Sequence, residues 1–368
     1  MSWFRNKIFS GIILILLLFI YSGELFSQRD NEADKSHDVQ EEGFSPGEFI
    51  LDHIGDSYEW HIATFGDYHL SIPLPVILYT KDKGLIVFMS SKFHHGHESY
   101  KGFKIENEED NIGKIVEVTT DGHSSGNSLP TDLSITKNVL AIIVSLAIML
   151  ILFISIARAY KRNTGKAPRG IQSAAEPVIL FVRDEIARPS IGEKKYEKYM
   201  PYLLSIFFFI FLNNLLGLVP IFPGGANITG NIAVTMVLAV FTFVITTVSA
   251  KKNYWKHIFN APGVPWWLKF PVPLMPVIEL LGVFTKPFVL MVRLFANITA
   301  GHIIALSFFS LIFIFGKNSA SLGMGVSVVS VAFTIFMTML ELLVAFIQAY
   351  VFTLLSALYF GMAITEEH

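Results

Sequence analysis

Two apolar segments near the C-terminal end are too long for the membrane they would cross. Residues 273–315 and 326–362, 43 and 37 residues, carry almost no charge. As helices at ~1.5 Å per residue they would measure about 64 and 55 Å. The hydrocarbon core is only ~30 Å thick. Ordinary tilt does not absorb a twofold excess. Either each helix lies steeply inclined, nearly in the membrane plane, or it breaks. Pro276 and Pro287 are the points where the first would kink, and GKNSASLGMG (316–325) separates the pair. The inclined arrangement is the reading we favour.

The remaining pattern is that of a polytopic membrane protein, with 52% apolar and 14% aromatic residues and a mean hydropathy of +0.52. LSITKNVLAIIVSLAIMLILFISIA, from Leu133, makes one full span. RAYKRNTGKAPR (158–169) follows with five basic residues and no acid. The excess of Lys and Arg assigns that loop to the cytoplasm. Charges interrupt IQSAAEPVILFVRDEIARPS (171–190), which reads as a helix lying along the cytoplasmic surface. A helical hairpin then goes out with YLLSIFFFIFLNNLLGLVP (202–220) and returns with NIAVTMVLAVFTFVITTVSA (231–250). KKNYWKH restores the basic cytoplasmic cluster, and the TEEH terminus is expected on the same side.

Ahead of the membrane part the character inverts. Residues 29–135 hold 8 Lys and Arg against 20 Asp and Glu, whereas 136–368 hold 18 against 9. Residues 1–27 begin with Arg5 and Lys7 and an apolar run from Ile8 to Ile20, the architecture of a signal peptide, with an uncleaved anchor as the alternative. Residues 28–132 then form an acidic extension expected to be exported. Its first part, to about Glu48, is charged and poor in aromatics, as in a disordered tether. From Tyr58 to Thr120, YEWHIAT, HLSIPLPVILYT, GLIVFMSSKF and KIVEVTT predict a small β-rich module, with KDKG as a turn. Pro73 and Pro75 point to an edge strand or a bend.

The chain has no cysteine, which excludes disulfides, thiolate catalysis and Cys-based metal sites. Eight of the eleven histidines fall in the extension, including His94, His95 and His97 in FHHGHE. Imidazoles so spaced can bind zinc or copper, but nothing nearby fixes a geometry, and a solvated loop is the reading preferred. No phosphate-binding glycine loop, nucleophile triad or nucleic-acid stripe is present, so no cofactor is expected.

Polar residues in the two long segments are few and regularly placed. Arg293 sits in LMVRLFANITAGHIIAL with no acid within ten residues. A guanidinium cannot neutralise itself to escape burial, and at mid-membrane it costs between ~2.5 and ~17 kcal/mol. Its counter-charge is therefore expected from another subunit. Glu279, Lys286 and Arg293 are spaced by seven, with Asn297 four further on, so an ideal helix puts all four on one face. His302, nine residues past Arg293, falls on the opposite face. In the last helix Glu341 and Gln348 are seven apart and share a face. A fixed cation beside titratable groups suits two separate aqueous routes with a barrier to leakage between them. His302 changes charge near neutral pH and leans toward proton relay. Bland readings remain for some of these: Lys286 as a snorkelling side chain, and Asn297 and Gln348 as interhelical glue.

RLFANITAGH (293–302), IQAYVFTLLSALYFGMAITEEH (347–368) and FLNNLLGLVP (211–220) resemble, in that order of weight, the signature, closing helix and hairpin of subunit a of the F-type ATP synthase. The resemblance covers about 133–368. It implies an all-α polytopic channel domain over those residues, carrying a small β-rich exported extension that the family does not explain. It also implies a bacterial inner-membrane location, with the extension periplasmic and the C terminus cytoplasmic. The partners it implies are a ring of c subunits, a b-subunit stalk, other synthase subunits and the lipid bilayer, with no nucleic acid. Arg293 would face the ring carboxylates, and Glu279, Asn297, His302, Glu341 and Gln348 would line two half-channels that pass protons. Some relatives exchange the acid and histidine found here at 341 and 302. The chain would be non-catalytic. The rival is a self-contained secondary transporter, which would need an internal repeat and an arginine partner within the chain.

Overall fold

The computed structural model describes residues 47, 50, 54–65, 68–96, 98–106, 113–118, 129–162, 167–219, 222–260 and 274–364. The expected signal segment 1–27, the charged tether apart from residue 47, His97 and the TEEH terminus lie outside the described residues. The chain separates into two units. Gly96–Pro130 contributes to one, Phe44–His95 with Thr131–His368 to the other. The smaller unit holds an antiparallel pair of short strands, Phe103–Ile105 and Ile115–Glu117.

In the larger unit the sequence runs predict most of the strands. EWHIATF forms β1 (Glu59–Phe65) and pairs antiparallel with β2 (Tyr68–Pro73). The run HLSIPLPVILYT does not stay one strand. It bends at Leu74, between its two prolines, into β3 (Pro75–Thr80). The KDK turn then leads into β4 (Gly84–Met89), registered Thr80 to Gly84. Proline has no N–H for a ladder, which is why the bend falls where it does. Alternate residues of β3, Val76 and Leu78, are fully buried, and Phe88 of β4 meets Phe93 edge to face at 5.2 Å. Ser90–Gly96 turns in 3-10 fashion but kinks at His94 and His95, whose φ values of 44° and 59° are left-handed and whose side chains are exposed.

A two-residue strand, β5 (Thr131–Asp132), pairs with β3 and leads directly into the first long helix, α1 (Lys137–Arg162). The junction is tightly bonded. Leu133 and Ile135 donate backbone N–H to Ile77 and Pro75 carbonyls at 2.9 and 3.0 Å, and Lys137 N–H donates to Ser57 at 2.8 Å. The Asp56 carboxylate accepts from Asn138 N–H at 3.0 Å. An acceptor of negative charge is what the first turn of a helix favours, since its amides have no partner of their own. Trp60 of β1 packs with Ala141, Ala226 and Ile228 and meets Phe222 edge to face at 5.1 Å.

The expected surface helix is α2 (Ile171–Phe181), which continues through a π turn at Val182–Ala187 into α3 (Arg188–Ile191). The hairpin is α4 (Tyr196–Leu218) and α5 (Ile232–Ser249), the latter capped by the Asn231 side chain accepting from Ala233 N–H at 2.9 Å. After α6 (Lys252–Phe259) come the two long helices, α7 (Leu274–Asn318) and α8 (Ala320–Ile364), each of 45 residues. Among the described residues, five helices are long and apolar enough to cross a membrane: α1, α4, α5, α7 and α8.

Neither long segment breaks. α7 runs through Pro287 without interruption, and the separator expected at 316–325 is reduced to a turn at Ser319. Gly316 and Gly323 make that turn possible, because a Cβ on Gly323 would lie 2.7 Å from the Gly316 Cα. At ~1.5 Å per residue each helix is about 67 Å long, and the two return along one another as a pair. Phe308 stacks on Phe333 at 4.9 Å in that seam.

The core joins α4, the π turn, α7 and α8. Leu203, Phe207 and Ile210 meet Val182, Ile186, Leu290, Leu294, Phe352 and Phe360, all within one cluster. Small residues, Ala349 and Ala357, allow α8 to approach closely. Several hydroxyls in the spans are bonded internally, as an apolar environment favours, although Thr353 Oγ1 of α8 is buried without a partner among the described residues. Thr246 and Ser356 donate to the carbonyls of Thr242 and Phe352, and Tyr202 of α4 bonds Thr242 of α5 at 2.8 Å.

Candidate functional site

The polar residues divide along α7 into three levels. Near its α6 end Glu279 is half-buried, and its charge, after burial itself, helps raise the pKa of the Tyr254 phenol on α6. Lys286 is also half-buried, with its ammonium 5.9 Å from the centroid of the Tyr359 ring on α8. One level on, Leu290 and Leu294 are turned into the core, each 1% exposed. That rotation turns Arg293 outward, onto an exposed face with Phe288, Val289 and Val292. Tyr359 lies within electrostatic reach of the Arg293 guanidinium. Among the described residues, Arg293 makes no ion pair and no hydrogen bond.

Past Arg293, toward the loop joining α4 and α5, a cavity of about 240 Å³ opens. Its walls are Asn213, Asn214 and Gly217 of α4, Ala226, Asn227 and Thr229 of the loop, Asn297, Gly301 and His302 of α7, and Glu341 and Ala345 of α8. At ~30 Å³ per water it has room for about eight. At its side His302 Nδ1 is 3.2 Å from Glu341 Oε1. Asn297 and His302, set on different faces by helix arithmetic, line the same cavity because it wraps around α7. Gln348 is buried on α8, seven residues beyond Glu341 and about level with Arg293 in the antiparallel pair. Asn297, His302 and Glu341 are therefore brought together, Glu279 is set apart near the other end, and Arg293 stands between.

Several polar residues were not singled out by sequence reasoning. Asn214 is fully engaged: its Oδ1 accepts from Thr229 Oγ1 at 2.5 Å and its Nδ2 donates to the Ala345 carbonyl at 3.3 Å. Asn213 Oδ1 and Asn227 Nδ2 are buried without a partner among the described residues. Such groups in a cavity wall bind water readily. The signal available was the Asn213–Asn214 pair inside an otherwise apolar span, used above only as part of a motif. Tyr359, between the two cations, had no such signal. Among the described residues no cluster of three or more His, Asp or Glu is arranged to hold a metal.

Among the described residues, five helices long and apolar enough to cross a bilayer, packed around polar side chains, define an integral membrane protein. The comparisons are more specific. The ATP synthase A chain model matches residues 139–361, and a model for a domain of unknown function (DUF8433) matches 49–135. Subunit a of the ATP synthase of Chloroherpeton thalassium is 43% identical over 242 residues, covering 64% of this chain and 68% of that one. Subunit a 2 of Chlorobaculum tepidum is 48% identical over 239 residues, 63% and 64% of the two chains. Subunit a of Myxococcus xanthus is 45% identical over 244 residues, 64% and 75%. The chain belongs to the ATP synthase A chain family. It is a membrane subunit, not itself catalytic.

Proposed function

We propose that this chain is the proton-conducting stator subunit of a bacterial F-type ATP synthase, offering two offset half-channels to a rotating ring of c subunits. The observation that carries the reading is the order of groups along α7. Arg293, exposed and without an ion pair among the described residues, separates Glu279 and Lys286 on one side from the cavity of Asn297, His302 and Glu341 on the other. A proton enters the cavity from the outer side and passes through the His302–Glu341 pair to a ring carboxylate. Gln348 and Asn297 orient the transfer near Arg293. The guanidinium, permanently charged, draws the deprotonated carboxylate out of its apolar surroundings and bars a direct leak. Rotation delivers the proton to the inner route past Glu279.

In this reading α7 and α8 lie steeply inclined in the membrane, since unbroken helices of about 67 Å exceed its thickness. The extension is periplasmic, the C terminus cytoplasmic, and the surface helix with α1 meets the b-subunit stalk. The absence of an acidic partner for Arg293 among the described residues favours this over a self-contained transporter. Purification of the complex should bring down a small, two-helix, carboxylate-bearing ring protein. Purified chain that transports ions without any ring would overturn the assignment. ATP synthesis by the reconstituted complex without added sodium should match synthesis with it.

A further inference from the structure

The extension reaches the wall of the cavity through one tryptophan. Trp60 of β1, 3% exposed, shares a buried cluster with Ala141 of α1 and with Ala226 and Ile228 of the loop joining α4 and α5. Its own module adds Ile72, the partner of Trp60 on β2, which is only partly buried. The indole is thus covered mainly by the membrane region. Phe222, earlier in the same loop, meets it edge to face at 5.1 Å. The loop has a second side. Ala226, Asn227 and Thr229 line the cavity, while Ile228, between the last two, is buried in the tryptophan cluster. Toward the helices the loop is tied by Thr229 Oγ1 to Asn214 at 2.5 Å, by Gly225 N–H to the Leu216 carbonyl at 3.1 Å, and by Thr299 Oγ1 of α7 to the Gly230 carbonyl at 3.4 Å. The module itself is fixed to the start of α1 through Asp56, Ser57, Pro75 and Ile77, so the indole stands on a bonded base.

We propose that Trp60 is a positioning residue for proton entry: anchored through its module to α1, it holds the α4–α5 loop where that loop walls the cavity. The extension is then a brace for the outer half-channel. This inference rests on the half-channel reading above. Trp60 does not line the cavity; it acts through Ala226, Asn227 and Thr229. Without the indole, Ala226 and Ile228 lose their apolar cover and the loop is free to shift. A misplacement of about 1 Å from a change remote from the chemistry can slow a positioned transfer by as much as about 10²-fold. The effect belongs to the outer side, because the loop walls the cavity of His302 and Glu341, whereas Glu279 is not among its lining residues.

The test uses vesicles carrying the whole reconstituted complex, with ATP synthesis followed against outer pH at fixed inner pH and fixed membrane potential. In Trp60→Ala the outer pH that gives half the maximal rate should move about one unit to the acid side, an about tenfold rise in the protons required and within the range that misplacement produces. The maximal rate per assembled complex and the dependence on inner pH should stay as they were. Trp60→Phe, which keeps a smaller ring in place, should shift less. A merely structural tryptophan would lower the amount of complex and leave the half-saturating outer pH unmoved, and that result overturns the proposal. Where Trp60→Ala does not assemble, Trp60→Phe and Phe222→Leu decide, since both keep an apolar cover; an unshifted outer-pH dependence in both overturns it equally. Glu341→Gln separates the two levels. If it alters neither the rate nor the outer-pH dependence, the half-channel reading fails; if it does while the Trp60 variants shift nothing, only the brace fails.

Discussion

At the residue scale, the chemistry turns on which groups can exchange protons and which cannot. His302 and Glu341 are 3.2 Å apart on neighbouring helices at the edge of a cavity. Their pairing was readable as a suitability of residue types, but not as a contact, because the two lie 39 positions apart. Replacing His302 by Ala should lower proton-driven ATP synthesis by roughly 10²-fold or more, the usual value of a positioned acid–base group. An unchanged rate would remove it from the path. Asn214 was hidden for a different reason: an asparagine in a span reads equally as glue or as channel wall until its partners are known. Asn214→Leu leaves Thr229 Oγ1 and the Ala345 carbonyl unpaired. It should destabilise the subunit by about 1–3 kcal/mol and slow proton flux, measured by thermal unfolding in detergent and by vesicle acidification.

At the scale of elements, the long helices were legible as lengths and not as courses. Apolar runs predicted two oversized segments, yet Pro276 and Pro287 left a kink open. The continuous α7 shows that packing of Leu290 and Leu294 against α4 and α8 outweighs one missing N–H. The opposite held for β2 and β3, where two prolines did split a run. The cap on α1 was invisible beforehand, since Asp56 lies 82 residues from Asn138. Asp56→Ala should cost about 0.5–2 kcal/mol, seen as a lowered unfolding temperature of the subunit. Within the π turn, Asp184 is bonded by Arg183 at 2.9 Å and by Arg188 at 2.9 Å. The Arg183 hydrogen bond, ahead of the opposing desolvation, holds the Asp184 carboxyl below its ordinary value. A depressed carboxylate contributes stability above its unfolded pKa and loses it as pH falls through the folded one. The contribution should thus persist at neutral pH and vanish on the acid side of the usual carboxylate range, and Asp184→Asn should flatten that acid limb of an unfolding-temperature profile.

At the scale of the whole molecule, an acidic, partly β segment matching one family model precedes a helical region matching another. The charge inversion at about residue 135 made that organisation legible. What it did not reveal is how closely residues 56–60 and β5 are bonded to the start of α1, because backbone hydrogen bonds leave no compositional trace. The membrane region places Arg293, without an ion pair among the described residues, on an outward face between two polar sites, and in the function proposed above a moving partner carboxylate is its counter-charge. The most direct measurement is proton-driven ATP synthesis, with passive proton leak, in vesicles carrying complexes with Arg293→Ala. The account predicts a complex that assembles with its ring, synthesises no ATP and leaks protons. Synthesis near the unsubstituted rate would contradict it.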